Sequence, residues 1–88
     1  MDPNLELQLM HCVLKNELVQ IAFEVNAPFT TVSTFLMYYI ALEEDDTKRV
    51  QRYSETLPVH VINEIFHTRS EWDWRQMASM KIEIMERG

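Results

Sequence analysis

Gly88 is the only glycine in the chain, so residues 1–87 contain none. Average usage would place about six glycines in a chain of this length. Glycine is the default residue of hairpin turns, bulges and phosphate-cradling loops, because it reaches left-handed backbone conformations without a steric cost. Its absence argues against a β-rich fold and excludes the glycine-dependent nucleotide motifs. What remains is a chain punctuated by Pro3, Pro28 and Pro58, whose spacing reads as helix boundaries.

The spacing predicts a first helix from Asp2-Pro3, where Asp caps and Pro fits the first helical position. Leu7, Met10, Leu14, Leu18, Ile21 and Val25 recur at steps of three and four and share one face. Asn26-Ala27-Pro28 ends the helix. Val19, Ile21, Phe23 and Val25 also alternate as a strand would, but the unbroken stripe from Leu7 favours helix. A second apolar set, Leu5, Leu9, Cys12, Val19 and Phe23, projects onto another side, so this helix needs cover on two sides.

A second helix is expected from Phe29 or Thr30 to Glu43. Its run from Phe35 to Leu42 suits a central helix buried on most sides and is too short to cross a bilayer. Ser33 and Thr34 are expected to bond back to the preceding turn. Asp45 or Asp46 can cap the next helix. Leu57-Pro58 opens another, with Val61, Ile62, Ile65 and Phe66 inward. Ser70 caps the last, with Glu71 and Asp73 in its favourable first turn. The expected fold is all-α: one domain over residues 1–88, a compact bundle of four to five helices completed by homodimerisation. A chain this short buries a modest share of its surface, which is the reason to expect a second copy or a partner.

Fourteen acids against eight lysines and arginines give a net charge of −6. That balance disfavours nucleic acid and anionic membrane as non-specific partners. Cys12 is the single cysteine, and neither a signal-peptide pattern nor a long apolar run is present, so the expected compartment is the cytoplasm.

Candidate chemistry is sparse. His60, Glu64 and His67 lie at i, i+4 and i+7, and Glu64 and His67 form the Glu-x-x-His unit of di-iron bundles. No second such unit faces it in the sequence, so a polar helix face is the simpler reading and no metal or cofactor is expected. His11 and Cys12 are sequence neighbours that diverge by about 100° on a helix, so they make no local nucleophile–base pair; Cys12 is expected to be a small buried residue. The chain is not expected to be an enzyme or to take a small molecule. Lys48, Arg49 and Arg52 precede a turn and another helix, as in a helix-turn-helix DNA-binding regulator. Against that stand the flanking Asp45, Asp46 and Glu55, and helix spacing offers Glu44–Lys48 and Asp45–Arg49 pairs instead. Acidic mimicry of nucleic acid is a further reading, weakened by the bases mixed among the acids.

The last helix carries the widest apolar arc. Trp74, Met77, Ala78, Met80, Ile82, Ile84 and Met85 cover about 200°, with Lys81 in their midst. One docking face needs little more than about 100°. Trp72 projects to the other side, among Arg75, Ser79 and Glu83. Trp74, Met77 and Ile84 are therefore expected in the core. Trp72, Met80 and Arg87 are the candidate contacts to a protein partner. The functional expectation is a small cytosolic protein-binding regulator: an inhibitor, adaptor or anti-activator of the kind that phages and mobile elements carry. Its alternatives are DNA binding through residues 48–52 and metal binding.

Overall fold

The computed structural model describes residues 2–88, and among them the fold is all-α with five helices. Helix α1 spans Pro3–Val25, α2 Phe29–Glu43, α3 Thr47–Ser54, α4 Val59–Phe66 and α5 Glu71–Arg87. Residues 19–25 are helical, as the longer stripe requires.

Each boundary has a local cause. Asp2 caps α1 by accepting from the Asn4 amide at 3.0 Å, with Pro3 in the first turn. Asn26 ends α1 in the left-handed region, at φ 55°, a conformation Asn tolerates better than most residues. Pro28 and Pro58 stand immediately before α2 and α4. Asp46 caps α3 by accepting from the Arg49 amide at 3.2 Å. Ser70 and Asp73 form a reciprocal capping box at the start of α5. Gly88 follows α5, where a Cβ would sit 2.7 Å from the Ile84 carbonyl oxygen.

Helix α2 is the hub, packing against all four other helices, while α1 packs against α2, α4 and α5. Its Val32, Phe35, Leu36, Tyr39 and Ile40 meet Leu14, Leu18 and Ile21 of α1, Ile65 of α4, and Trp74, Met77 and Ala78 of α5 in one core. Trp74 is 0% exposed. Its ring stands edge-on to Phe35 at 4.8 Å between centroids, and its indole N–H donates to the Phe66 carbonyl at 3.0 Å. That bond ties the C-terminus of α4 to the second turn of α5 and satisfies a polar atom that burial would otherwise make costly. Thr34 donates to the Thr30 carbonyl at 2.8 Å, whereas Ser33 makes no such bond and instead lines a surface hollow with His11 and Lys15.

Several expectations need correction. Leu42, the last residue of the apolar run from Phe35, is exposed at the end of α2, and Met85 is exposed within the α5 arc. Ile84 is partly buried against the core. Cys12 is exposed, because it lies on the side of α1 opposite the core stripe. Arg49 approaches Glu44 at 3.8 Å and Asp46 at 3.9 Å, and neither expected pair at residues 44–49 forms. Residues 44–46 lie outside the helices and Asp45 has φ 53°, so helical i,i+4 geometry does not apply there.

Candidate protein-docking surfaces

The inner side of α1 is consumed by the core; its outer side is not. Leu5, Leu9, Val13 and Phe23 are all exposed, Val13 at 58% and Phe23 at 83%. Cys12 and Asn16 lie exposed between them, and Val19 is half-buried. Near the C-terminal end of α1, Val19, Ala22, Phe23 and the following Phe29 line a shallow hollow of about 300 Å³. No helix of the described chain covers this face.

Its edge toward α5 is fixed by Arg69. The guanidinium donates to Glu17 and, at 2.7 and 3.2 Å, to both carboxylate oxygens of Glu24. It also donates to the Thr68 carbonyl at 2.7 Å. Glu17 and Glu24 are seven residues apart, two turns of helix, so one planar fork spans both. The hydrogen bond from Arg69 holds the Glu24 carboxyl below its ordinary range, with the opposite charge adding to it against some desolvation. Arg69 is pushed up in turn, first by Glu24 and then by Glu17. This clamp fastens the α4–α5 connection to α1. No local spacing in the sequence connects Glu17 and Glu24 to a residue 45 or more positions away.

The three residues expected to meet a partner occupy different places. Trp72 is 67% exposed on the first turn of α5. Met80 is half-buried beside Val13 and Glu17, at the α5 border of the outer α1 face. Arg87 reaches back to the other end of α1, pairing with Glu83 at 3.0 Å, approaching Glu6 at 3.9 Å and donating to the Pro3 carbonyl at 3.4 Å. Met80 and Arg87 thus edge α1, while Trp72 lies eight residues, about 12 Å along the helix, before Met80. A separate exposed side chain, Val59, is 82% accessible at the start of α4, where Val59, Ile62 and Phe66 line an open surface hollow.

The other candidates do not assemble. Lys48 and Arg52 are exposed on α3, while Arg49 turns to Glu44 and Asp46 with its guanidinium 6.0 Å from the Tyr53 ring centroid. His67 is the C-cap of α4, and its ring engages the Asn63 carbonyl at 2.7 Å through Nδ1. Among the described residues no three His, Cys, Asp or Glu side chains gather where an ion could sit. His11, Lys15, Ser33 and Lys81 line a hollow of about 230 Å³ over Leu14, Leu18 and Phe29, which gives the tip of Lys81 its route to water. The Tyr39 hydroxyl is buried without a hydrogen-bond partner. Burial raises its pKa first, and the nearby Glu43 carboxylate adds to the shift against Arg75. Neither group meets hydrogen-bonding geometry with the hydroxyl. Among the described residues no helix is long and apolar enough to cross a membrane. No protein family, curated protein or solved structure matches this chain.

Proposed function

We propose that this chain is a non-enzymatic protein-binding regulator, an inhibitor, adaptor or anti-activator that works by covering part of another protein. One observation carries the reading: large apolar side chains lie exposed on separate surfaces, the outer face of α1 and the Trp72 turn of α5. The fold needs neither surface for its core. Such side chains, flanked by charge, are the ingredients of an interface: an apolar centre, a polar rim and an aromatic anchor. Trp72 is the contact to a partner, flanked by Glu71 and Arg75, which pair with each other at 2.8 Å. Self-association accounts for the second surface, and the cytoplasm is the compartment that fits an acidic chain with one unpaired cysteine.

Site-specific photo-crosslinking from position 72 in source cells tests this. The expected result is one dominant adduct to another protein, absent when the crosslinker replaces the exposed Gln51. Equal adduct patterns from both positions would overturn the assignment of Trp72.

A further inference from the structure

The outer residues of α1 fall at Leu5, Leu9, Cys12, Asn16, Val19 and Phe23, with steps of four, three, four, three and four. That is an uninterrupted heptad seam, with Leu9, Asn16 and Phe23 at a positions and Leu5, Cys12 and Val19 at d. At 100° per residue the six span an arc of about 80°. Leu14 and Ile21 take f positions, diametrically opposite, and face the core, while Leu7, one heptad earlier, is half-buried. We infer that a second copy of this chain occupies the seam, joined as a parallel two-stranded coiled coil of the α1 helices. The inference rests on the self-association part of the proposed function and adds its surface, orientation and register.

Three observations select that occupant. The first is Asn16. In a parallel pair it faces its own counterpart, and each carboxamide can donate to the other; a lone Asn at an a position is a known determinant of register and strand number. In the antiparallel alternative Asn16 faces Cys12, and each buried amide loses that reciprocal bond. The second is charge. The chain is strongly acidic, yet no seam position is charged. Glu17 and Glu24 are turned to Arg69, and Glu6 lies near Arg87, so two copies can meet along α1 without opposing carboxylates. The third is area. With side chains of roughly 200 Å² each, the exposed fractions of Leu5, Leu9, Val13 and Phe23 leave on the order of 400–500 Å² of apolar surface per copy. Cys12, Asn16, Val19 and Phe29 beside them bring the face toward the ~800 Å² that a standard interface buries on each partner.

Sedimentation equilibrium of the whole chain, combined with oxidation of Cys12, tests the inference. The wild type should sediment as a dimer. Phe23→Glu should raise the dimer dissociation constant about 30-fold or more, as loss of an interface anchor does. The helical circular dichroism should persist, because Phe23 has little packing to lose. Leu9→Gln should weaken the dimer with Phe23→Glu, and Trp72→Ala should not. Oxidation should link the copies through Cys12, whose Cα atoms in a parallel pair lie within the ~7 Å a disulfide spans; in the antiparallel register they are offset by about 6 Å along the axis and fall outside it. A wild type still monomeric at about 100 µM overturns the inference. So does a dimer indifferent to Phe23→Glu and Leu9→Gln. A dimer that both variants weaken but oxidation does not link overturns the parallel register. None of these failures touches the crosslink from position 72, which judges the regulator reading on its own surface.

Discussion

Replacing Trp74 by Phe should cost roughly 3 kcal/mol of folding free energy, whereas the same change at Trp72 should stay within about 0.5 kcal/mol. Trp74 is fully buried between Phe35 and Tyr39, with ring centroids 4.8 and 6.2 Å away. Phe keeps the edge-on contact and removes the pyrrole part of the ring. The gap, roughly 40 Å³ if the core does not collapse, costs about 1 kcal/mol at 24 cal/mol per Å³. The apolar atoms no longer buried account for about another 1 kcal/mol. The Phe66 carbonyl loses the indole donor it now holds at 3.0 Å, a further penalty of about 1 kcal/mol or more. For a domain of this size that corresponds to a fall in Tm of roughly 12–24 °C. Urea unfolding followed by circular dichroism measures it, with protomer concentration held fixed because association would add to apparent stability. Fluorescence supplies an internal check: Trp74→Phe leaves only a solvent-exposed indole and Trp72→Phe only a buried one. A Trp74→Phe cost under about 1 kcal/mol, or equal costs at the two positions, would refute the partition of the tryptophans between core and surface.

Removing the clamp with Arg69→Met should destabilise the fold near neutral pH, and the deficit should shrink in acid. Glu24 has its folded pKa held below the ordinary 4.5, so its contribution is present above that value and is lost as pH falls through the depressed one. Thermal melts of both proteins across that range check this, and a deficit independent of pH would count against the charge pairing. Tyr39→Phe should leave stability unchanged or improve it, since the buried hydroxyl has no partner to lose; a loss above about 1 kcal/mol would reveal one. Because the folded pKa of Tyr39 is raised above 10.0, its phenol should weaken the wild-type fold as pH rises past that value, an alkaline loss the Phe variant lacks. Ser70→Ala breaks the capping box and should cost about 1 kcal/mol by urea unfolding, with Ser79→Ala, an exposed change within α5, as the neutral control.

The parts of the fold legible in the sequence are those whose causes are local. Pro28, Pro58, Asp46 and Ser70 each act within a turn of themselves, and all four mark the boundaries that their chemistry implies. The inner stripe of α1 is legible because a periodic pattern needs no knowledge of what it faces. Arg69 was not legible: it sits between two helices, and its carboxylates lie on a helix that ended more than forty residues earlier. The pairing of Arg49 departs from helix spacing for the opposite reason. Spacing of i,i+4 pairs holds within a continuous helix, and the left-handed backbone of Asp45 breaks that continuity between Glu44 and Arg49. For the candidate surfaces, the sequence distinguished Trp72 from Trp74 by their projection alone. It could not place Met80 and Arg87 along the edge of α1, because that depends on how α5 lies against it.

Two helices carry more apolar surface than a single contact needs, and the fold answers the excess differently in each. On α5 most of the width is used internally. Trp74 enters between Phe35 and Tyr39, Met77 and Ala78 join the core, and Met80, Ile82 and Ile84 pack at its margin, which leaves Met85 and the oppositely directed Trp72 outside. On α1 nothing of the kind happens. The helix runs for 23 residues, about 34 Å, and its second stripe stays exposed at Leu5, Leu9, Cys12 and Phe23, with Val19 half-buried. Those side chains add little to the stability of the monomer, since Phe23, at 83% exposed, buries little area. Polar residues at the same positions would leave the inner stripe, the caps and the Arg69 clamp intact. Folding of one copy therefore does not account for a heptad-spaced apolar row on the outer face of α1, whereas closure against a second α1 does, and it accounts in the same step for the single Asn at its centre.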